Sequence, residues 1–398
     1  MSASSKRLFF IDAIRAWAIL MMLQGHFIDG LLDTLVRDPE NLFYATWRYF
    51  RGITAPVFFT VSGFIFTYLL IKVKETGWQN PRVIKGIKRG LQLILIGYLL
   101  RLNIFGLFVG EIYEAFLIVD VLHCIGLSLL AIVGIYILSS NKNKFFFPTI
   151  LLSVTLLLFL FEPYYKDWSF AVLPDMLANY FTKANGSVFT IIPWLGYTTL
   201  GGFISILFSK YKEHNNFYII TICSLLTLGI ALVFKSSDGF LFLAKLTGIS
   251  LFASIELNNY LFIRLGDVFI VFAVFMIFRR FMTNKTVLKI GANTLSIYVI
   301  HFVILYGSFT GLGLYRFFHH ELNPFTAIIG ALFFMVLCTF LALSYSKNEV
   351  IIKQQIADSF NSLKIELVGL QKELFLRMKF YLSQIWLQIL KFLKLIKN

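Results

Sequence analysis

Runs of about twenty apolar residues recur along the whole chain, each separated from the next by a polar or charged stretch. Ten can be marked, near residues 8–30, 53–72, 87–105, 117–138, 145–161, 187–208, 217–235, 262–280, 287–307 and 325–345. The fifth is short, and Arg101 interrupts the third. A helix of this length crosses the hydrocarbon of a bilayer, so the pattern predicts an all-α, polytopic bundle of about ten transmembrane helices. The longest connections, 33–52, 162–186 and 236–261, are too short to form soluble domains. Beyond residue 345 the pattern changes. Residues 346–398 mix apolar and charged positions at helical spacing and end in the basic LKFLKLIKN. This predicts an amphipathic helix on the membrane surface, with a coiled-coil partner face as the other option. Two segments result: a transmembrane domain, 1–345, and a cytoplasmic surface helix, 346–398. There is no internal repeat of 20–50 residues and no clear inverted repeat of broken helices.

Composition agrees with this picture. The 398 residues are 58% hydrophobic and 14% charged, with a mean hydropathy of +0.78. Soluble domains hold about 25% charged residues. The N-terminal MSASSKR precedes no small-residue cleavage site, so the first run is expected to remain as a transmembrane helix. Cys124, Cys223 and Cys338 each sit in an apolar run, which predicts neither a disulfide framework nor a metal site.

The formal net charge is +15. Its distribution explains it without nucleic acid. With the N-terminus cytoplasmic, the inner side up to the tenth run carries sixteen Lys and Arg, run ends included, with Glu75 and Glu213 as the acids beside them. The opposite side, counted the same way, carries ten Lys and Arg among fourteen Asp and Glu. That is the positive-inside bias of a membrane protein with both termini cytoplasmic. The expected location is a bacterial inner membrane, and the expected partners include membrane lipids, with a homo-oligomer open.

Chemistry concentrates in the first run, Phe10–Gly30, which carries Asp12, Arg15, His26 and Asp29. Ionisable groups in a membrane helix are costly and mark interior sites. Arg15 and His26 are eleven residues apart, nearly a whole number of turns, so they share one face about 16 Å apart along the axis. Asp12 and Arg15 can touch at i,i+3, as can His26 and Asp29. Asp120 and His123 repeat the Asp/His spacing in LIVDVLHCI of the fourth run, at matching depth, and suggest a shared cavity. A hydrogen-bonded structural pair is the plainer account of that spacing. Asn293, Ser296 and His301 recur along the ninth run, and Trp194 and Tyr197 follow Pro193 in the sixth. His301 is equally well placed to reach that cavity or to tie two helices together. Trp194 and Tyr197 suit either the cavity or an aromatic belt. Arg264 and Asp267 are spaced to pair. Arg82, Lys85, Lys88 and Arg89 cluster at the start of the third run, where topology explains any one of them and a phosphate site would use them together. His214, His319 and His320 fall in connections and are given no role. P-loop, GxGxxG, HExxH and GxSxG patterns are absent.

The pattern R-x10-H from Arg15 to His26, preceded by FIDAIRAW, resembles the start of the acyltransferase-3 family. It also resembles the DUF1624 relatives that include the catalytic domain of heparan-alpha-glucosaminide N-acetyltransferase. FFTVSGFIF, VLHCIGLSLL, IPWLGYTTLGG and LSIYVIH extend the resemblance to five runs. The acyltransferase-3 R-x-x-R is replaced here by Lys85-x-x-Lys88 and Arg89, and VLHCIGLSLL favours the DUF1624 side. The resemblance implies a bundle around a pore, an acyl-CoA donor entering from the cytoplasm, and transfer to a carbohydrate or glycolipid acceptor at or across the membrane. Arg15 and His26 would be the family's arginine and histidine.

On that footing the expected donor is acetyl-CoA, its phosphates held by Lys85, Lys88, Arg89 and Arg15, with no metal. His26 would be the general base. Asp29 would orient its imidazole, and Asp120, His123, Trp194 and His301 would bind the acceptor. A covalent acetyl-His26 intermediate is the variant mechanism. The alternative function is a proton-coupled transporter of a small polar or sugar-containing molecule, in which the Asp/His pairs relay protons. Broken helices would favour that alternative. A purely structural scaffold leaves the charges of the first run unexplained.

Overall fold

The computed structural model describes residues 8–110 and 114–392, and within these the protein is helical. Lys6, Arg7 and the basic end of the tail lie outside the described residues. The chain divides into two compact units, Met1–Ala342 and Leu343–Asn398.

The first eight runs are helices: α1 (Phe9–Leu31), α2 (Leu42–Ile71), α3 (Pro81–Arg101), α4 (Val121–Ser139), α5 (Phe146–Leu160), α6 (Ile191–Tyr211), α7 (Phe217–Thr247) and α8 (Tyr260–Ile277). Their starts follow local chemistry. Asn41 and Asn80 cap α2 and α3 by accepting first-turn amides, and Pro81 opens α3. Asp120 and His123 form a capping box at the start of α4. The ninth run departs from the expected single span. It is α9 (Lys285–Ala292) and α10 (Thr294–Tyr306), bent by 70° at Asn293. The tenth begins α11, which extends from Pro324 to Phe392 and takes in the described part of the tail.

Among the described residues, seven helices are long and apolar enough to cross a membrane, and eight if α9 and α10 count as one broken span. The two runs that fall outside have evident reasons. α5 has only 15 residues, and α3 begins with four basic side chains. The all-α, polytopic membrane architecture stands.

Close packing of the bundle depends on paired glycines. α2 lies against α6, where a Cβ on Gly63 would collide with the Thr198 carbonyl and one on Gly201 with the Thr60 carbonyl. Gly90 of α3 and Gly126 of α4 do the same for each other: a Cβ added to them would lie 2.9 and 2.6 Å from the facing carbonyl oxygens. Gly229 of α7 and Gly266 of α8 form a third such crossing. Inside a membrane there is little hydrophobic drive between helices, so close backbone approach supplies the attraction.

Candidate active site

Arg15 is held where α1, α9 and α10 meet. Its Nη2 donates to Thr294 Oγ1 at 3.0 Å, and its Nη1 lies 3.6 Å from Asp12 Oδ1. Thr294 is the first residue of α10, immediately after the bend. The bend can sit there because Gly291 brings α9 onto α1, with no room for a Cβ against the Asp12 carbonyl. The first amides of a helix have no intrahelical acceptor and carry partial positive charge. The broken span therefore turns such an end toward an arginine.

A cavity of about 190 Å³ adjoins this point. Arg15, Arg89, Thr294, Ser62 and Tyr298 provide its polar groups, and the remaining wall is apolar. Arg89 Nη1 also donates to Gln92 on its own helix at 3.1 Å. Lys85 and Lys88 are exposed on α3 and do not line the cavity.

At the far end of α1, His26 Nδ1 and His301 Nε2 are 3.2 Å apart, with ring centroids at 5.2 Å. One ring must donate and the other accept. His301 is fully buried, walled by Tyr298 at 4.8 Å and Phe302 at 5.9 Å. Tyr306 stands 6.2 Å from the His26 ring. Tyr298 thus touches both the cavity and the histidine pair. The expected His26–Asp29 contact is not made. The Asp29 carboxylate is taken by Arg51 Nη2 at 2.6 Å, on α2.

Asp120 and His123 do pair, Oδ1 to Nδ1 at 3.1 Å. Arg101 Nε donates to the other Asp120 oxygen at 3.1 Å and lies 6.0 Å from the Phe302 ring. Phe302 therefore links this cluster to the histidine pair through α10. Gly97 leaves space for the His123 imidazole, which would lie 2.6 Å from a Cβ there, and Tyr98 packs on the same ring at 4.3 Å. The buried His123 Nε2 finds no hydrogen-bond partner among the described residues.

Trp194 sits apart from these groups, packed on Phe59, Phe189 and Tyr197 at 5.1, 4.9 and 5.7 Å. Tyr197 donates to the Leu261 carbonyl at 3.0 Å and has a helix-joining role. The Arg264–Asp267 pair forms as expected, at 2.9 Å.

Arg51 and Arg101 were missed by reading the sequence as a site. Their signal was present: each is an arginine at the end of a membrane run, at the depth of a carboxylate. What the sequence does not state is which helix stands opposite.

The chain matches the family described as heparan-alpha-glucosaminide N-acetyltransferase, catalytic, over residues 7–229. That is more than half of its length. The chain belongs to this family. Membership in the N-acetyltransferase family supports a membrane acetyltransferase role, as the resemblance in the first runs implied. The matched segment holds Arg15, His26, Arg89, Asp120 and His123, while Thr294 and His301 lie beyond it. No individual curated protein matches the chain.

Proposed function

We propose that the protein transfers an acetyl group from acetyl-CoA, entering from the cytoplasm, to a hydroxyl or amine of a carbohydrate or glycolipid at or across the membrane. The observation that carries this reading is the line of contacts along α1. Arg15 and Arg89 open onto a cavity whose wall, Tyr298, abuts the His26–His301 pair. An extended donor has cations for its phosphates at one end and a histidine for its thioester at the other. Arg15 and Arg89 take the phosphates in this reading, with Lys85 and Lys88 at the mouth.

His26 accepts the proton from the acceptor hydroxyl or amine as that group attacks the thioester carbonyl. The tetrahedral intermediate collapses, the carbon–sulfur bond breaks, and the CoA thiolate leaves with the proton from the imidazolium. His301 fixes the His26 ring, the task expected of Asp29. Asp120 and His123 offer hydrogen bonds to the acceptor. The deciding experiment measures acetyl-CoA binding and acetyl transfer with purified protein in nanodiscs. Saturable binding that Arg15→Ala weakens and His26→Ala spares supports the reading. No binding at millimolar donor, a limit of about 4 kcal/mol, would end it.

One observation favours a second reading, a proton-coupled transporter: the 70° break between α9 and α10. Substrate accumulation by proteoliposomes without any acyl donor would select it.

A further inference from the structure

α6 and α7 follow one another through five residues, 212–216, yet the two helices barely touch. Such short connections ordinarily join packed antiparallel neighbours. Here α7 packs instead on α8 at the Gly229–Gly266 crossing and buries only Phe217, Leu225 and Gly229. The space between α6, α7 and α8 is a cavity of about 870 Å³. Leu200, Ile204 and Phe208 of α6, Ile220 and Leu228 of α7, and Phe272 of α8 give it an apolar wall. One end is polar, closed by Tyr211, His214, Asn215 and Asn216.

Three cations neighbour that polar end, though none of them lines the cavity itself. Lys212 Nζ donates to Tyr68 Oη at 3.1 Å, Arg279 stacks 3.9 Å from the Tyr218 ring, and Lys210 lies 4.7 Å from the Tyr211 ring. The acid beside them is Glu213, 3.8 Å from Lys212 and almost fully exposed.

We infer that this cavity is a lipid site: it takes one acyl chain of an anionic phospholipid, with the phosphate held by Lys212 and Arg279. An apolar void of this size does not hold ordered water, because water needs polar partners. Left empty, it forfeits dispersion contacts along every wall. A flexible hydrocarbon chain from the bilayer restores them. The chain itself gains little by leaving one apolar medium for another. Selection among lipids must therefore come from the head group, and a basic cluster at a membrane interface favours anionic ones. The bound chain would act as a wedge that holds α7 away from α6. This site is separate from the histidine pair and does not depend on acyl transfer.

The test uses the full chain in mild detergent, with native mass spectrometry after adding dioleoyl phosphatidylglycerol or dioleoyl phosphatidylcholine. The expected result is one retained phosphatidylglycerol, preferred about tenfold over phosphatidylcholine. Leu228→Trp and Thr221→Trp, which fill the cavity from two positions on α7, should each lose it. The double variant Lys212→Gln/Arg279→Gln should retain lipid but lose the preference. Melting temperature and size-exclusion profile identify any variant that has misfolded, and the two filling variants guard against that for each other. Four results would overturn the inference: no retained lipid, equal retention of the two lipids by the unaltered chain, unchanged retention in folded filling variants, or a dimer that Leu228→Trp dissociates. The last would place a second copy in the gap.

Discussion

His26 and His301 meet across α1 and α10, and this contact reassigns the partner that the local i,i+3 spacing suggested. Asp29 is partly exposed and already engaged by Arg51, an ion pair of a kind that contributes about 0–1 kcal/mol. Asp29→Asn should therefore shift stability by less than about 1 kcal/mol and leave acetyl transfer within about tenfold of the unaltered protein. A loss as deep as that of His26→Ala would restore Asp29 as the orienting group. His26→Ala should lower transfer by roughly 10²–10⁴-fold while leaving the protein folded and acetyl-CoA binding unchanged. His301→Ala should fall between the two, with kcat reduced by about tenfold or more and acceptor KM less affected. Single-turnover kinetics with saturating donor separate these effects. If His301→Ala retained full kcat, its buried ring would be helix packing alone.

At the scale of elements, the motif glycines have a structural task. Gly63 in FFTVSGFIF, Gly126 in VLHCIGLSLL and Gly201 in IPWLGYTTLGG all sit where two backbones cross. Gly63→Ala and Gly201→Ala should each destabilise the fold by about 1–3 kcal/mol or more, because the added methyl meets a facing backbone carbonyl. Gly134→Ala, with nothing within 4 Å of its added Cβ, is the control and should be neutral or slightly stabilising. Thermal melts in one detergent compare all three, and equal melting points would refute the crossing role. The same elements show how much could be read without a structure. Helix positions were legible, because twenty apolar residues in sequence have few other uses. The shared face of Arg15 and His26 followed from helical periodicity alone. The break at Asn293 was not legible: TLSIYVIH continues the apolar run, and the bend is set by α9 lying on α1 at Gly291, a contact 279 residues away from Asp12 in the chain. The partners Arg51 and Thr294 were hidden for the same reason, since each comes from a helix whose neighbours sequence spacing does not specify.

On the scale of the whole molecule, the proposal requires a direction. Arg15 and Arg89 must face the compartment that holds acetyl-CoA, and the His26–His301 pair must lie toward the other side. The charge bias gives the expected direction: sixteen Lys and Arg on the side of the Arg15 end up to the tenth run, against ten on the His26 side. This is checked by placing single cysteines in a chain from which Cys124, Cys223 and Cys338 have been replaced. Glu75→Cys and Lys144→Cys probe the Arg15 end, and Glu40→Cys and Val172→Cys probe the other; all four positions are exposed. A membrane-impermeant maleimide should label positions 40 and 172 in intact cells, and positions 75 and 144 in inverted vesicles. Family membership cannot replace this measurement, because the match over residues 7–229 ends before α10 brings Thr294 to Arg15 and His301 to His26. The reverse labelling pattern would turn the arginine cavity away from the cytoplasmic donor. It would remove the proposed path for acetyl-CoA even if every residue of the site were as described.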